Sequence, residues 1–432
     1  MSRALFGTDG VRGLAGQYPL DTDGAIKIGR AVGALFASEG QSIVIAGDPR
    51  ESSAGLIESL TQGLIAVGVN VVNIGVIPTP GLAYITREHD NFVAGVMVTA
   101  SHNPYQYNGV KVFDAKGDKL SDNTEVRLNS LIEDGAPDRG HGEVSYNNDL
   151  IKTYEDFLVG SAQGLDLGGL SIAIDTANGA ASGLAGRVFS QLGAKVTALS
   201  YAPNGKNIND KCGATDTTTL QEAVVKNQLA IGIAFDGDAD RLMLVDQQGR
   251  QFNGDHILYL LAVSGDLKGV VATVMSNLGF EKALDLRGIK LDRVNVGDRY
   301  VLDGLVNTGY KLGGEQSGHI ILPNLLATGD GILAAVQVAR AIVASNKSLA
   351  QWYDEVPMLP QALVNIALTD KTRLDSPEVK SFIEEQTAAM ASAGRILIRP
   401  SGTEPLARVM VEAPNAQEIA NTVAKKLVEL VA

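Results

Sequence analysis

One pattern recurs three times along the chain and restricts the folds that it can adopt. Each copy consists of an apolar strand, a polar loop, an amphipathic helix, a glycine and a second strand, and the copies occupy residues 42–74, 170–199 and 269–294. A strand that is followed by a helix and another strand is typical of parallel sheets covered by helices. The recurrence predicts an α/β protein and favours duplicated units over an unrelated succession of α/β segments.

The length of the chain and breaks in this pattern indicate several domains. At 432 residues the chain is too long for one hydrophobic core. We place the boundaries at polar or proline-containing stretches, which predicts α/β domains over 1–150, 151–251 and 252–361 and a fourth domain over 362–432. The last segment follows the order strand, helix, strand, strand, helix, which predicts an α+β domain.

The composition limits the cellular compartments and the classes of partner that fit this chain. A net charge of −13 argues against a nucleic-acid partner, since phosphate contacts need a basic face. No apolar stretch reaches the roughly 18 to 20 residues that cross a bilayer, and the N-terminus lacks the apolar segment of a signal peptide. The single Cys212 cannot form an internal disulfide, which fits a reducing compartment. We expect a cytoplasmic protein without nucleic-acid or membrane partners.

Three carboxylates stand at alternate positions directly after an apolar strand, at Asp236, Asp238 and Asp240. In a turn they can converge on one cation, and oxygen-only ligands suit Mg²⁺. A calcium-binding EF-hand would need glycine and glutamate where this chain has Arg241 and Gln247. We therefore predict a metal site, with a solvated acidic turn as the alternative.

Ser101 follows another apolar strand, at 92–98. The nucleophile motif GxSxG is absent around it, so acyl chemistry is excluded, but serine can also accept a phosphoryl group. The alternative is a small polar residue in a turn. A second turn is expected at 108–109, followed by a short strand that carries Lys111, which the local sequence predicts to be exposed.

Two further loops are candidates for binding a sugar phosphate. In the segment 313–319, Glu315 and Ser317 could hydrogen-bond sugar hydroxyls, while a lone histidine such as His319 is more often structural than catalytic. Near the C-terminus, two arginines flank a Ser-Gly-Thr loop whose N–H groups and hydroxyls could bind a phosphate. That loop is not a Walker motif, and an ordinary turn is the alternative.

Seven stretches together resemble the α-D-phosphohexomutase superfamily. They occur in the family's order along nearly the whole chain, at 6–13, 99–104, 212–216, 236–241, 296–300, 314–319 and 399–405. Three of these motifs resemble the glucosamine branch of that family: Phe-Gly-Thr-Asp-Gly-Val-Arg-Gly, Gly-Asp-Arg-Tyr and Gly-Glu-Gln-Ser-Gly-His. The resemblance implies three related α/β domains with mixed sheets and a C-terminal α+β domain, arranged around a central active-site cleft.

The resemblance also implies roles for individual residues. The catalytic group comprises the phosphorylated Ser101 with Lys111, Arg12, His319 and Arg241. One Mg²⁺ per active site has as its ligands the phosphorylated Ser101, Asp236, Asp238 and Asp240. The substrate-binding group comprises Glu315, Ser317, Arg299, Arg399, Ser401, Gly402, Thr403 and Arg408. Lys111 and His319 are both candidates for the general acid/base, and the choice between them stays open.

The implied reaction interconverts glucosamine 6-phosphate and glucosamine 1-phosphate. The reaction proceeds through a phosphoserine enzyme and a sugar 1,6-bisphosphate, which is both the intermediate and the activator. Its product is used in the synthesis of UDP-N-acetylglucosamine. The alternatives are a phosphomannomutase or phosphoglucomutase of the same superfamily, a metal-dependent sugar phosphatase, and a catalytically silent sensor of sugar phosphates. The oligomeric state is left open, with a homodimer as the candidate.

One segment departs from the family pattern. Members commonly have Arg/Lys-Asp-Thr-Arg after the second strand, whereas this chain has Gly47-Asp48-Pro49-Arg50. Proline fixes the backbone angle φ and removes a hydrogen-bond donor. The role of this loop is therefore left open.

Overall fold

Residues 5–7, 10–368, 370–390, 393–400 and 405–431 are described by the computed structural model. The chain forms two compact units, Met1–Met275 with Ile289–Tyr353 and Ser276–Gly288 with Asp354–Ala432. None of the helices in the described residues has the length and apolar content needed to cross a membrane.

The first sheet of the larger unit is mixed. Its strands are β1 (Val11–Leu14), β2 (Ser42–Gly47), β3 (Asn70–Val76), β4 (Phe92–Val98), β5 (Tyr107–Asp114) and β6 (Val144–Tyr146), and its helices are α1 (Thr22–Phe36), α2 (Ser53–Ala66), α3 (Thr79–Glu88) and α4 (Asp122–Asp134). In the described residues the strand order is β1-β5-β4-β2-β3-β6. Strand β5 is antiparallel to β1 and β4, and the other neighbours are parallel. Alternate residues such as Ile45, Val96 and Val98 are buried with Leu60 of α2.

The second sheet has the same mixed character. Its elements are α5 (Leu150–Gly160), β7 (Ser171–Asp175), α6 (Ala185–Gln191), β8 (Lys195–Leu199), α7 (Thr218–Lys226), β9 (Ile231–Phe235), β10 (Leu242–Val245) and β11 (Gln251–Phe252), with a short 3₁₀ helix at Gly213–Thr215. The strand order within the described part is β11-β10-β9-β7-β8. Strands β9, β7 and β8 are parallel, while β10 is antiparallel to both of its neighbours.

The third sheet is smaller and also mixed. The elements of this segment are α8 (Gly254–Ser264), β12 (Gly269–Thr273), α9 (Leu278–Asp285), β13 (Lys290–Val294), α10 (Asp298–Thr308), β14 (Gly313–Gly314), β15 (Ile320–Ile321), α11 (Gly331–Ser345) and α12 (Leu349–Asp354). Its strands are ordered β13-β12-β14-β15 in the described chain. Strand β12 is parallel to β13 and β14, and β15 is antiparallel to β14.

The smaller unit carries an antiparallel sheet. Besides α9, its elements are β16 (Gln361–Ala367), a 3₁₀ helix at Lys371–Asp375, α13 (Pro377–Met390), β17 (Arg395–Pro400), β18 (Leu406–Glu412) and α14 (Ala416–Val431). The order of its described strands is β16-β18-β17. Val409 and Val411 of β18 are buried with Val423 and Leu427 of α14. The predicted α+β order of strand, helix, strand, strand, helix is confirmed.

The recurring sequence pattern corresponds to three parallel strand pairs. In chain order α2 joins β2 to β3, α6 joins β7 to β8, and α9 joins β12 to β13. The glycine shortly after each helix has a positive φ, at +80° for Gly68, +91° for Gly193 and +68° for Gly288. Side chains other than glycine rarely adopt this conformation, which explains the glycine in each copy. The predicted fold class, three α/β segments with mixed sheets and a C-terminal α+β segment, is confirmed.

The expected turn at 108–109 is wrong, because both residues lie inside β5. Asn108 pairs with Gly13 and Gly109 with Arg12 of the neighbouring strand. A Cβ atom on Gly109 would lie 2.5 Å from the carbonyl oxygen of Val11, which is closer than real Cβ atoms approach. Glycine is therefore required here by the close approach of two strands and not by a turn.

Candidate active site

Three aspartates converge in the loop that follows β9. Asp236 and Asp238 have no exposed surface, and Asp240 is 7% exposed. One carboxylate oxygen from each residue lies within 4.8 Å of the others. This is the convergence that the spacing predicted, and the burial excludes a solvated acidic turn.

The environment of these carboxylates fits a divalent cation. The Oδ1 atoms of Asp238 and Asp240 are buried without a hydrogen-bond partner in the described part of the chain. A buried carboxylate oxygen without a partner is costly unless a cation balances it. Burial, and after it the charges of Asp240 and Asp238, raises the pKa of Asp236 well above its ordinary value. An all-oxygen donor set of this kind suits a hard cation such as Mg²⁺.

Asp238 is oriented by a residue that the sequence reasoning missed. Thr79, the first residue of α3, donates from Oγ1 to Oδ2 of Asp238 at 2.6 Å. Its backbone N–H also donates to the carbonyl oxygen of Asp238 at 3.0 Å. The two residues are 159 positions apart, so no local sequence signal connects them.

Ser101 lies beside the aspartate loop. It follows the end of β4, is 1% exposed, and donates from Oγ to Oδ2 of Asp236 at 2.6 Å. Its φ of +51° lies in the left-handed region, which serine rarely adopts. The structure thus brings together the serine and the carboxylates that the sequence analysis selected separately.

Lys111 is buried, so the prediction of an exposed strand lysine is wrong. Its Nζ lies 2.7 Å from Oδ2 of Asp238 and 3.0 Å from Oδ2 of Asp240. Burial lowers the pKa of Lys111, but the two carboxylates outweigh that effect and hold the pKa above its ordinary value. The lysine is therefore an ammonium that balances part of the buried negative charge.

His319 lies between two carboxylates. Its Nδ1 is 3.9 Å from Oδ1 of Asp240, and its Nε2 is 3.6 Å from Oδ2 of Asp298. Burial lowers the pKa of His319, whereas Asp240 and Asp298 raise it, and the net direction is upward. Lys119 forms an ion pair with Asp298 on the same side. Lys119 and Asp298 were not selected from the sequence, although Asp298 lies in the Gly-Asp-Arg-Tyr stretch.

A cavity of about 220 Å³ opens beside His319, and its lining includes Lys119, Asp298 and Arg299. Arg299 forms an ion pair with Asp122. The cavity therefore presents cationic and anionic groups together.

The predicted sugar loop has an internally fixed carboxylate. Oε1 of Glu315 accepts a hydrogen bond from the backbone N–H of Gly297 at 2.9 Å. The Ser317 hydroxyl donates to Oε2 of Glu315 at 3.0 Å. The Glu315 carboxylate is thus held in one orientation by two donors, which suits it to accept hydrogen bonds from hydroxyls of a ligand.

Two arginines add positive charge around the serine. Burial, and after it the charges of Arg241 and Arg12, lower the pKa of His102 to about 4. His102 directly follows Ser101, and its Nδ1 lies 3.3 Å from the serine hydroxyl. Arg12 is carried by β1, opposite Gly109 of β5. The predicted Arg12 and Arg241 therefore contribute to the electrostatics at Ser101.

The smaller unit contains the predicted phosphate-binding arginines. Arg399 of β17 stands directly opposite Arg408 of β18. Burial and the charge of Arg408 lower the pKa of Arg399. Like charges directly opposite on neighbouring strands are unfavourable, and a bound anion relieves that repulsion. The predicted Ser401, Gly402 and Thr403 lie outside the described residues.

Comparisons with known proteins cover the whole chain. Four phosphoglucomutase/phosphomannomutase models match it: alpha/beta/alpha domain I at 3–138, domain II at 148–249, domain III at 253–359 and the C-terminal domain at 363–430. Phosphoglucosamine mutase of Thermus thermophilus is 44% identical over 432 residues, which covers 99% of this chain and 98% of the relative. Phosphoglucosamine mutase of Haemophilus influenzae is 44% identical over 441 residues, covering 100% and 99%.

A solved structure has the same fold. The phosphoglucomutase/phosphomannomutase family protein from Burkholderia thailandensis superposes with a TM-score of 0.82 at 24% identity, covering 100% of this chain and 98% of that one.

With four domain models and full-length relatives, the chain belongs to the phosphoglucomutase/phosphomannomutase family, the α-D-phosphohexomutases. Its 44% identical relatives place it in the phosphoglucosamine mutase branch, and it is an isomerase. The superfamily predicted from the ordered motifs is confirmed. The family implies a metal ion, and the buried aspartate triad has the donors to bind one.

Proposed function

We propose that this chain interconverts glucosamine 6-phosphate and glucosamine 1-phosphate, with Ser101 as the phosphoryl carrier. The observation that supports it most is the 2.6 Å hydrogen bond from Ser101 Oγ to Asp236, inside a cluster of buried carboxylates. A serine phosphorylated at this place has its phosphoryl oxygens beside the carboxylate donors. The names of the full-length relatives supply the sugar.

The reaction consists of two phosphoryl transfers. First, the bond from phosphorus to Ser101 Oγ breaks while a bond forms from phosphorus to the free sugar hydroxyl, giving the 1,6-bisphosphate. The hydroxyl proton moves to a base on the enzyme, and the serine oxygen takes up a proton. After the bisphosphate reorients, the same changes run in reverse with the other phosphate, which returns to Ser101.

Different residues are assigned to metal binding, charge stabilisation and proton transfer. Ser101, Asp236, Asp238 and Asp240 would hold one Mg²⁺, which when bound neutralises charge on the transferring phosphoryl group. Arg12 and Arg241 add positive charge beside the serine. Lys111 and His319 are the two candidates for moving the proton, because each lies against Asp240. Lys111 is held as an ammonium by Asp238 and Asp240, so it is suited to donate a proton rather than to accept one.

Substrate binding is assigned to two loops. Glu315, Ser317 and Arg299 bind the sugar, and the phosphate that is not being transferred binds Arg399, Ser401, Gly402, Thr403 and Arg408. A substrate that presents either end to the serine must use hydroxyls common to both orientations, which suits a carboxylate fixed as in Glu315. We retain the four-domain division at 150, 251 and 361 as part of this proposal.

The proposal also includes the activator, the cellular compartment and the oligomeric state. A sugar 1,6-bisphosphate activates the enzyme by phosphorylating Ser101. The protein acts in the cytoplasm, where its product supplies UDP-N-acetylglucosamine synthesis, and a homodimer is the candidate assembly, to be measured by sedimentation.

Coupled assays on the 1- and 6-phosphates of glucosamine, glucose and mannose test the function, with Mg²⁺ and trace sugar bisphosphate present. We expect the glucosamine phosphates to be isomerised fastest, and mass spectrometry to find phosphate on Ser101. Ser101→Ala should abolish isomerisation, whereas Ser59→Ala, at a buried serine of α2, should not. Release of inorganic phosphate without isomerised sugar would indicate a phosphatase, and full activity of Ser101→Ala would refute the phosphoserine mechanism.

A further inference from the structure

The loop that departs from the family pattern, residues 47–50, lies against the segment that carries Ser101. Strands β2 and β4 are parallel neighbours, so the loops that follow their carboxyl ends meet at the same edge of the sheet. Arg50 follows β2 and has a fully buried side chain. Its guanidinium donates to the carbonyl oxygens of Ser101 at 2.8 Å, Pro104 at 2.6 Å and Tyr107 at 3.1 Å. One side chain thus holds three carbonyl groups of the serine segment.

Asp48 holds both Arg50 and the other side of Ser101. Its Oδ2 accepts from Nε of Arg50 at 2.8 Å and from Oγ1 of Thr99 at 2.7 Å. Oγ1 of Thr99 in turn accepts from the backbone N–H of Ser101 at 2.9 Å. The Asp48 carboxylate is fully buried and also accepts from the Ser53 hydroxyl at 3.1 Å. The N–H and the carbonyl of Ser101 are therefore both connected to the Asp48–Arg50 pair.

The Asp48–Arg50 pair is connected to a residue, Ser101, whose backbone conformation is unfavourable by itself. A serine at φ +51° is strained and persists only where its surroundings hold it. In that conformation the Ser101 hydroxyl reaches Asp236 at 2.6 Å. Nδ2 of Asn209 adds a further hydrogen bond to the Ser101 carbonyl at 2.9 Å. The direction of the serine side chain therefore depends on the donors that hold its peptide groups.

Pro49 does not disturb this arrangement, because its neighbours supply the donors of the loop. The N–H of Asp48 donates to the carbonyl of Val98 at 3.0 Å, and the N–H of Arg50 donates to Oδ1 of Asp48 at 3.2 Å. The N–H of Glu51 donates to the carbonyl of Gly205 at 2.9 Å. A proline at the remaining position removes a donor without breaking any of these bonds.

We propose that Asp48 and Arg50 are positioning residues that keep Ser101 in its left-handed conformation, with Oγ directed at the aspartate cluster. The inference rests on the proposed function in treating Ser101 as the phosphoryl carrier. Lysine cannot replace Arg50, because a planar guanidinium with five N–H donors can reach three carbonyls and a carboxylate at once, and a single ammonium cannot.

The test uses Arg50→Lys and Asp48→Asn in the full chain, with Arg250→Lys as the matched control. Arg250 also donates from Nε to a buried aspartate, Asp246 at 2.7 Å, and from Nη2 to a carbonyl, Ala350 at 3.1 Å. The control therefore loses guanidinium hydrogen bonds to a buried carboxylate and a carbonyl, but neither partner belongs to the segment that carries Ser101.

Hydrogen exchange and steady-state kinetics are the two readouts. We expect faster amide exchange in the peptide that covers 99–107 for both variants and unchanged exchange there for the control. For both variants kcat should fall by about 10- to 100-fold, as small displacements of reacting groups produce, with KM for the sugar phosphate nearly unchanged. A purely structural role would lower thermal stability and change kcat and KM in all three proteins alike.

Exchange at the wild-type rate over 99–107 in both variants would overturn the inference, whatever the activity. If Arg50→Lys does not fold, the nearly isosteric Asp48→Asn carries the test alone. A wild-type protein without phosphate on Ser101 and without isomerase activity would refute the proposed function instead, since the exchange measurement depends on neither.

Discussion

The Ser101 hydroxyl donates a 2.6 Å hydrogen bond to the Asp236 carboxylate across 135 positions of sequence. Each residue follows a buried strand of a different sheet, β4 for the serine and β9 for the aspartate. This contact joins the proposed phosphoryl carrier to the proposed metal ligands.

Removal of divalent metal should abolish activity. The buried carboxylates leave two oxygens without hydrogen-bond partners in the described chain, so the active enzyme needs a cation there. Dialysis against EDTA should eliminate isomerase activity, and added Mg²⁺ should restore it. Full activity in metal-free enzyme, confirmed by elemental analysis, would contradict the assignment.

Thr79→Val should weaken Mg²⁺ binding. The variant loses the hydroxyl that donates to Asp238 at 2.6 Å, and residues that orient metal ligands typically change affinity by about 10- to 100-fold. Thr86→Val is the matched control, because Thr86 is also buried in α3 but donates to the carbonyl of Leu82. Calorimetric titration with Mg²⁺ measures both, and equal affinities in the two variants would refute this role of Thr79.

Lys111→Met should destabilise the metal-free protein. The lysine balances Asp238 and Asp240 inside the protein, and removing one partner of a buried ion pair costs roughly 3 to 5 kcal/mol. Since a bound cation supplies the missing positive charge, Mg²⁺ should raise the melting temperature of the variant more than that of the wild type. Thermal denaturation with and without Mg²⁺ gives the answer, and an unchanged melting temperature of the metal-free variant would contradict it.

The stability of the larger unit should depend on the titration of Asp330. This buried carboxylate caps α11 by accepting from the Leu333 N–H and also accepts from the Tyr154 hydroxyl at 2.8 Å. Burial raises the pKa of Asp330 to about 6, so the folded state binds the proton more tightly than the unfolded state. Its contribution to stability is complete below about pH 4 and is lost as the pH rises to 6, by about 3 kcal/mol.

Asp330→Asn should remove this pH dependence, because an amide carries no charge at any pH. Its oxygen can still accept from the Leu333 N–H, and its NH₂ group can donate to the Tyr154 hydroxyl oxygen. Urea unfolding at pH 4 to 7 measures the difference in the free energy of unfolding between wild type and variant. We expect the variant to gain relative to the wild type as the pH rises. A difference that is constant across this range would show that Asp330 has an ordinary pKa.

Arg408→Gln should raise KM. The substitution removes one of the two like charges that face each other across the sheet and leaves a polar side chain in its place. Loss of a charge-assisted hydrogen bond to phosphate, about 1.5 to 3 kcal/mol, corresponds to an increase in KM of roughly 10- to 100-fold. Arg373→Gln, in the 3₁₀ helix of the same unit, is the control. Unchanged KM in Arg408→Gln would remove this residue from the phosphate site.

Much of the fold follows from local sequence. Strand and helix periodicity, and the glycine that ends each helix at positive φ, predicted the three parallel strand pairs. The aspartate cluster was also predictable, because alternate residues of one tight loop converge whatever surrounds the loop. Ordered motifs then indicated the family.

Contacts between distant segments were not predictable in the same way. Lys111 was expected to be exposed and is buried, since the pattern of one strand does not say which of its faces is covered. Lys119 pairs with Asp298 across 179 positions, and no local sequence pattern predicts this pairing.

The sequence alone indicated most elements of this protein, because helices and strands depend largely on residues close along the chain. The spacing of its chemical groups and its family follow directly from the order of the residues. Only the tertiary structure decided which groups face each other. Arg50 reaches the Ser101 carbonyl because two parallel strands, 51 positions apart in this pairing, end at one edge of a sheet. The conformation of the proposed phosphoryl carrier is thus a property of the packed fold, where buried charges must find partners.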